Sequence, residues 1–160
     1  MKRAGIAILA AAVAGCVANP GAPGGASAPH TESCQAVSEQ EVAGLFDRWN
    51  RSLQTGDPRQ VVANYAERSI LLPTVSNQPR YTVAEKEDYF HHFLEDRPQG
   101  RIDARRIELG CNSAVDSGLY TFTFARTGAV VRARYTYTYR WDGRKWLITS
   151  HHSSAMPEKQ

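Results

Sequence analysis

The last third of the chain constrains the fold most tightly. From Arg101 onward, four segments rich in β-branched and aromatic residues follow one another: Ile102 to Leu109, Ala114 to Ala125, Ala129 to Trp141 and Lys145 to His152. Side chains alternate faces along a strand, so each segment has one side that must be buried. Turn residues such as Gly128 and Asp142-Gly143 leave only short connections, and strands joined that way pair antiparallel. The chain is committed to an antiparallel meander with an apolar face that another layer has to cover.

The preceding segment supplies that layer. Ser38 and Glu41 form a capping box, and Val42, Leu45, Phe46, Trp49 and Leu53 recur at helical spacing, which predicts a long amphipathic helix stopped at Gly56. Asp57-Pro58 starts a short second helix with Val61, Val62 and Tyr65 on its apolar side. Ser69 to Thr74 reads as a strand ended by Pro73. Thr82 and Glu85 begin a third helix that turns Val83, Phe90, Phe93 and Leu94 inward and is closed by Arg97-Pro98-Gln99-Gly100. Helices first and a meander last make an α+β domain, with the sheet packed on the first helix.

The N-terminus has a separate purpose. Lys2 and Arg3 precede an apolar run from Ala4 to Ala14, too short for a permanent membrane span but laid out like an export signal. The run ends in Val13-Ala14-Gly15-Cys16, which resembles the lipobox of bacterial lipoproteins and makes Cys16 the expected acylated N-terminus; the alternative is an ordinary signal peptide cut nearby. Residues 1–15 are thus expected to be a signal peptide, and residues 16–36 a Gly/Pro/Ala-rich spacer that holds the domain, residues 37–157, off a membrane surface. An exported, lipid-anchored envelope protein is the expectation.

Without Lys2 and Arg3, the 19 basic residues fall to 17 against 16 acidic ones. That near neutrality argues against a nucleic-acid binder. Once Cys16 is acylated, Cys34 and Cys111 remain. In an oxidising compartment their simplest state is a disulfide, the alternative being two buried thiols. Neither has a Cys or His neighbour at zinc-ligand spacing, so no metal site and no cofactor are expected.

Several segments, in order, resemble the calcium/calmodulin-dependent protein kinase II association domain and its bacterial secreted relatives. They are Phe46-Asp47-Arg48-Trp49-Asn50 with Gly56-Asp57, Leu71-Leu72-Pro73-Thr74, Tyr89-Phe90-His91-His92-Phe93-Leu94, Gly118-Leu119-Tyr120-Thr121-Phe122, Ala133-Arg134-Tyr135-Thr136, and Trp146 through Ser154 followed by Met156-Pro157. The resemblance covers roughly Val37 to Pro157, and its most specific part is the Trp-x-Ile-x-x-His-His-Ser-Ser run. It implies the cone of the nuclear transport factor 2-like and ketosteroid-isomerase-like superfamily, a curved sheet wrapped on three helices with a cavity at its wide end. It also implies a homodimer or higher homo-oligomer built through the outer sheet face. The glycine loop, lysine strand and Asp-Phe-Gly triplet of a kinase catalytic domain are all missing from the sequence.

The candidate site follows from alternation and resemblance together. Arg132, Arg134, Thr136 and Thr138 share one strand face, and Val131, Ala133, Tyr135, Tyr137 and Tyr139 share the other. The resemblance suggests that Arg134 points inward, where it needs either an acidic ligand or a structural partner such as Glu67 or Asp103. His151 and His152 face opposite ways on the last strand, so they do not chelate one metal together. A cavity histidine near Arg134, walled by Trp49, Tyr65 and Tyr120, makes a pocket suited to a small carboxylate or aromatic ligand. His91-His92 reads as a solvated helix edge. The expected function is therefore a non-catalytic binding and oligomerisation module. The alternative is a small isomerase or dehydratase, for which Asp47, Asp57 and Asp88 look like exposed or capping residues rather than a base.

Overall fold

A computed structural model describes residues 33–74 and 76–157. The signal peptide, Cys16 and nearly all of the spacer lie outside the described residues. Among them, no helix is long and apolar enough to cross a membrane.

Helix α1 spans Glu39–Leu53, and its Ser38/Glu41 capping box forms as the sequence demands. Val42, Leu45, Phe46, Trp49 and Leu53 all bury, giving the sheet its apolar partner. Gly56 turns the chain at φ +70°, a conformation that costs glycine little. Helix α2, Pro58–Val62, starts on the Asp57 cap. It ends before Tyr65, which opens strand β1, Tyr65–Leu72, four residues ahead of the expected start at Ser69. Asn64 makes this break: its amide donates to the Gln60 and Val61 carbonyls, and its own carbonyl accepts from Ile148 N–H.

Helix α3, Val83–Glu95, buries Phe90 and Leu94 and half-buries Phe93, but Val83, the first residue of the helix, is exposed, contrary to expectation. Lys86 is buried on this helix, donating to the Ser69 and Tyr81 carbonyls at 3.0 and 2.5 Å and so tying α3 to β1. Burial lowers the pKa of its ammonium. The segment read as closing α3 instead opens strand β2, Pro98–Gly110. Proline is tolerated as the first residue of an edge strand, where no ladder donor is needed.

Strands β3 (Ser113–Phe124), β4 (Val130–Trp141) and β5 (Trp146–Ala155) complete the meander. The sheet order is β1-β5-β4-β3-β2, antiparallel throughout except that β1 lies parallel to β5. The β2–β3 ladder slips register between Ile102 and Ala104, opposite Tyr120 and Leu119 and one residue short of the Arg105–Gly118 pair. Tyr65, Trp49, Phe46, Phe90, Tyr120, Phe122, Tyr135, Tyr137 and Tyr139 form a largely aromatic core between the sheet and the helices. Cys34 and Cys111 are joined, stapling the approach to α1 onto the β2–β3 turn.

Candidate functional site

Alternation on β4 and β5 decides what faces inward. Ala133, Tyr135, Tyr137 and Tyr139 are buried, so Arg132 and Arg134 stand on the outer surface. Arg134 donates to the Ala155 carbonyl at 3.3 Å, and neither Glu67 nor Asp103 pairs with it. The inward placement suggested for Arg134 is therefore corrected: turning this strand over would bury two guanidinium groups and expose three tyrosines. Asp103 instead pairs with Arg101 at 2.9 Å and accepts from Thr121.

On β5, His151 is 4% exposed while His152 is exposed. The register puts His151 opposite Tyr137, whose ring stacks on the imidazole with centroids 4.1 Å apart and planes 25° apart. Trp49 meets the same imidazole edge-on at 5.3 Å. Its Nδ1 lies 2.8 Å from the Tyr65 hydroxyl, and its Nε2 is buried with no partner among the described residues. Burial, assisted by the neighbouring His152, lowers the imidazole pKa from 6.5 to about 3, so it is neutral. Burial also pushes the Tyr65 phenol well above its ordinary range, opposed by the Trp49 indole N–H, which leans toward the phenol without completing a hydrogen bond. A neutral Tyr65 whose oxygen faces a donor is best satisfied by donating its own proton to Nδ1. The His151 tautomer is then Nε2–H, leaving one N–H donor unspent in the cavity wall.

Two residues along β5, on the same face, Ser153 brings a second polar group. Its hydroxyl accepts from Tyr120 at 2.6 Å and shares a short hydrogen bond with Thr74, which follows β1. A chain of three hydroxyls thus runs from the buried Tyr120 to the half-buried Thr74. If each donates to the next, the free proton is at Thr74.

These groups border a cavity of about 110 Å³ lined by Trp49, Thr74, Tyr89, Tyr120, His151 and Ser153 together with Phe90, Phe93, Phe122 and Phe124. Burial raises the Tyr89 phenol to about 12 and the Tyr120 phenol further. Of the residues read as candidates, the cavity gathers Trp49, Tyr120 and His151, with Tyr65 behind His151. It excludes Arg134 and His152. Thr74, Tyr89 and Ser153 escaped the sequence reading, although each lies in a segment that carried the resemblance.

Among the described residues, no carboxylate, lysine or arginine lines the cavity. Asp47 and Asp88 are exposed, and Asp57 caps α2. The deepest acid, Asp116, lies further along β3, fully buried. It accepts from Arg105 Nε at 3.1 Å and from the Tyr135 hydroxyl at 2.8 Å, with Arg105 Nη2 3.0 Å from its second oxygen. Asp116 is thus spent on structure: the Tyr135 it holds stacks on Tyr120 at 4.9 Å. A single imidazole among hydroxyls and rings is a poor donor set for a transition metal.

The family model of the calcium/calmodulin dependent protein kinase II association domain matches residues 38–157. A solved protein from Xanthomonas campestris, described as such an association domain, is 46% identical, covers 80% of this chain and 98% of its own, and superposes with a TM-score of 0.71. A nuclear transport factor 2-like protein from Pseudomonas putida has a TM-score of 0.67 at 15% identity, covering 80% of this chain and 93% of its own. The iota-carbonic anhydrase of a cyanobacterium, solved with bicarbonate, has a TM-score of 0.68 at 19% identity, covering 78% of this chain and 95% of its own. The two distant likenesses establish the fold alone. No curated protein matches the chain.

Proposed function

The chain belongs to the calcium/calmodulin dependent protein kinase II association domain family, and from that footing we propose that its cone holds bicarbonate and interconverts it with carbon dioxide. The observation that carries the reading is that the Tyr120–Ser153–Thr74 hydroxyl chain and His151, whose buried Nε2 is unpartnered among the described residues, line one small apolar cavity. About 110 Å³ is far below the few hundred Å³ of pockets that take drug-sized ligands. It suits a molecule of a few heavy atoms. The phenylalanine walls suit carbon dioxide, and the hydroxyl head suits a planar oxyanion held by neutral donors.

The chemistry balances as bicarbonate plus one proton giving carbon dioxide plus water. The Thr74 hydroxyl, whose proton the Tyr120–Ser153 pair leaves free, gives it to the departing oxygen as that oxygen's bond to carbon breaks, and takes a proton from solvent at its half-buried position. Ketosteroid-type catalysis has less support, because its carboxylate base has no counterpart among the cavity-lining residues.

The protein works as a homo-oligomer, as suits an association domain, and is exported and held in the bacterial envelope through a lipid on Cys16. A titration of carbon-13 bicarbonate followed by NMR tests the binding step. Exchange broadening by the oxidised protein, lost in Ser153→Ala with the fold intact, is the expected result. Equal broadening by wild type and Ser153→Ala, or none by either, would remove the site.

A further inference from the structure

The cavity uses one side of α3, through Tyr89, Phe90 and Phe93. The other side carries different chemistry. His91, His92 and Glu95 are all exposed, and one ligand atom of each lies within 4.8 Å of the other two. Helix geometry explains the convergence. His91 and Glu95 are four residues apart and His92 and Glu95 three, so the carboxylate is a surface neighbour of both imidazoles.

His92 Nδ1 stands 3.3 Å from Glu95 Oε1. A tetrahedral zinc ion with bonds of about 2.0–2.1 Å sets its ligand atoms about 3.3 Å apart, so one edge of a coordination polyhedron is already in place. The two imidazole rings are 5.3 Å apart and inclined by 64°. They are not stacked, and a rotation of exposed side chains closes the remaining gap without disturbing the core. Glu87, Asp88 and Asp57 border the groove beside His91, and only Arg59, itself paired with Asp57, opposes them. The local field therefore favours a cation.

We infer that the outer side of α3 is a binding site for a borderline divalent transition ion of the zinc or copper(II) type, held by His91, His92 and Glu95 and completed by water. Two imidazoles and one carboxylate match such ions better than calcium or magnesium, which prefer all-oxygen shells. Phe93 lies in the same turns and lines the cavity, so a bound ion also stiffens the helix segment that walls the site. The inference is independent of what the cavity binds.

The test is calorimetric titration of zinc chloride into the full-length oxidised protein, purified without a polyhistidine tag. The expected result is one ion per chain, with affinity reduced at least tenfold in His92→Ala and in Glu95→Gln, and unchanged in His152→Ala, an exposed histidine elsewhere. These side chains are exposed, so circular dichroism of the variants should match wild type. Absence of binding, or binding that survives His91→Ala/His92→Ala or disappears in His152→Ala, would overturn the assignment.

Discussion

His151 shows how one residue couples fold to function. Its imidazole is held neutral with a pKa of about 3, against 6.5 when free. Above pH 6.5 neither the folded nor the unfolded chain protonates this group, and it is neutral to stability. Between 6.5 and 3 the unfolded chain takes up the proton and the folded one does not, so stability falls as pH falls, by up to about 1.4 kcal/mol per pH unit. The capping carboxylates Asp57 and Glu41, whose pKa values are lowered, add their losses only at more acidic pH. Denaturant melts between pH 7 and 5 should show this slope in wild type and lose it in His151→Gln; a slope that persists would assign it elsewhere. The sequence already put His151 and His152 on opposite faces, since strand period fixes relative direction. It did not say which face was inner, because that depends on which side of β4 wins burial. Three tyrosines outcompete two arginines there, against the inward Arg134 that resemblance suggested. The same step of two residues from His151 leads to Ser153, a signal the sequence reading left unused.

Elements were more legible than residues. Caps and apolar spacing located all three helices, because these are local interactions written in neighbouring residues. Boundaries set by distant partners were harder. The early starts of β1 and β2 depend on pairing with β5 and β3, segments far away in sequence. One such contact gives a sharp prediction. A Cβ at Gly118 would lie 2.0 Å from the Ala104 carbonyl oxygen, at the register slip of the β2–β3 ladder. Gly118→Ala should cost about 3 kcal/mol or more, since the obstacle is backbone. Gly44 in α1 meets nothing within 4 Å, and Gly44→Ala should instead add about 0.5–1 kcal/mol through helix propensity. Guanidinium unfolding of the two variants checks both signs; equal effects would contradict the packing described.

For the whole molecule, the Cys34–Cys111 bond joins positions 77 residues apart. Closing so long a loop restricts the unfolded chain, and replacing both cysteines with serine should lower stability by about 2–4 kcal/mol, read as a shift in the unfolding midpoint. The cone and its staple were legible in the sequence, through the order of motifs and the cysteines left after Cys16. The hydroxyl chain was not, because Thr74, Tyr120 and Ser153 meet only once the sheet curls and β1 joins β5. That chain is the centre of the account. Its most direct test is the rate at which oxygen-18 is lost from labelled bicarbonate, followed by mass spectrometry, in wild type and Ser153→Ala. Wild type should accelerate the loss well above buffer and Ser153→Ala should lower that acceleration by about 100-fold or more. A folded, oxidised wild type no faster than buffer, or a Ser153→Ala variant as fast as wild type, would contradict it.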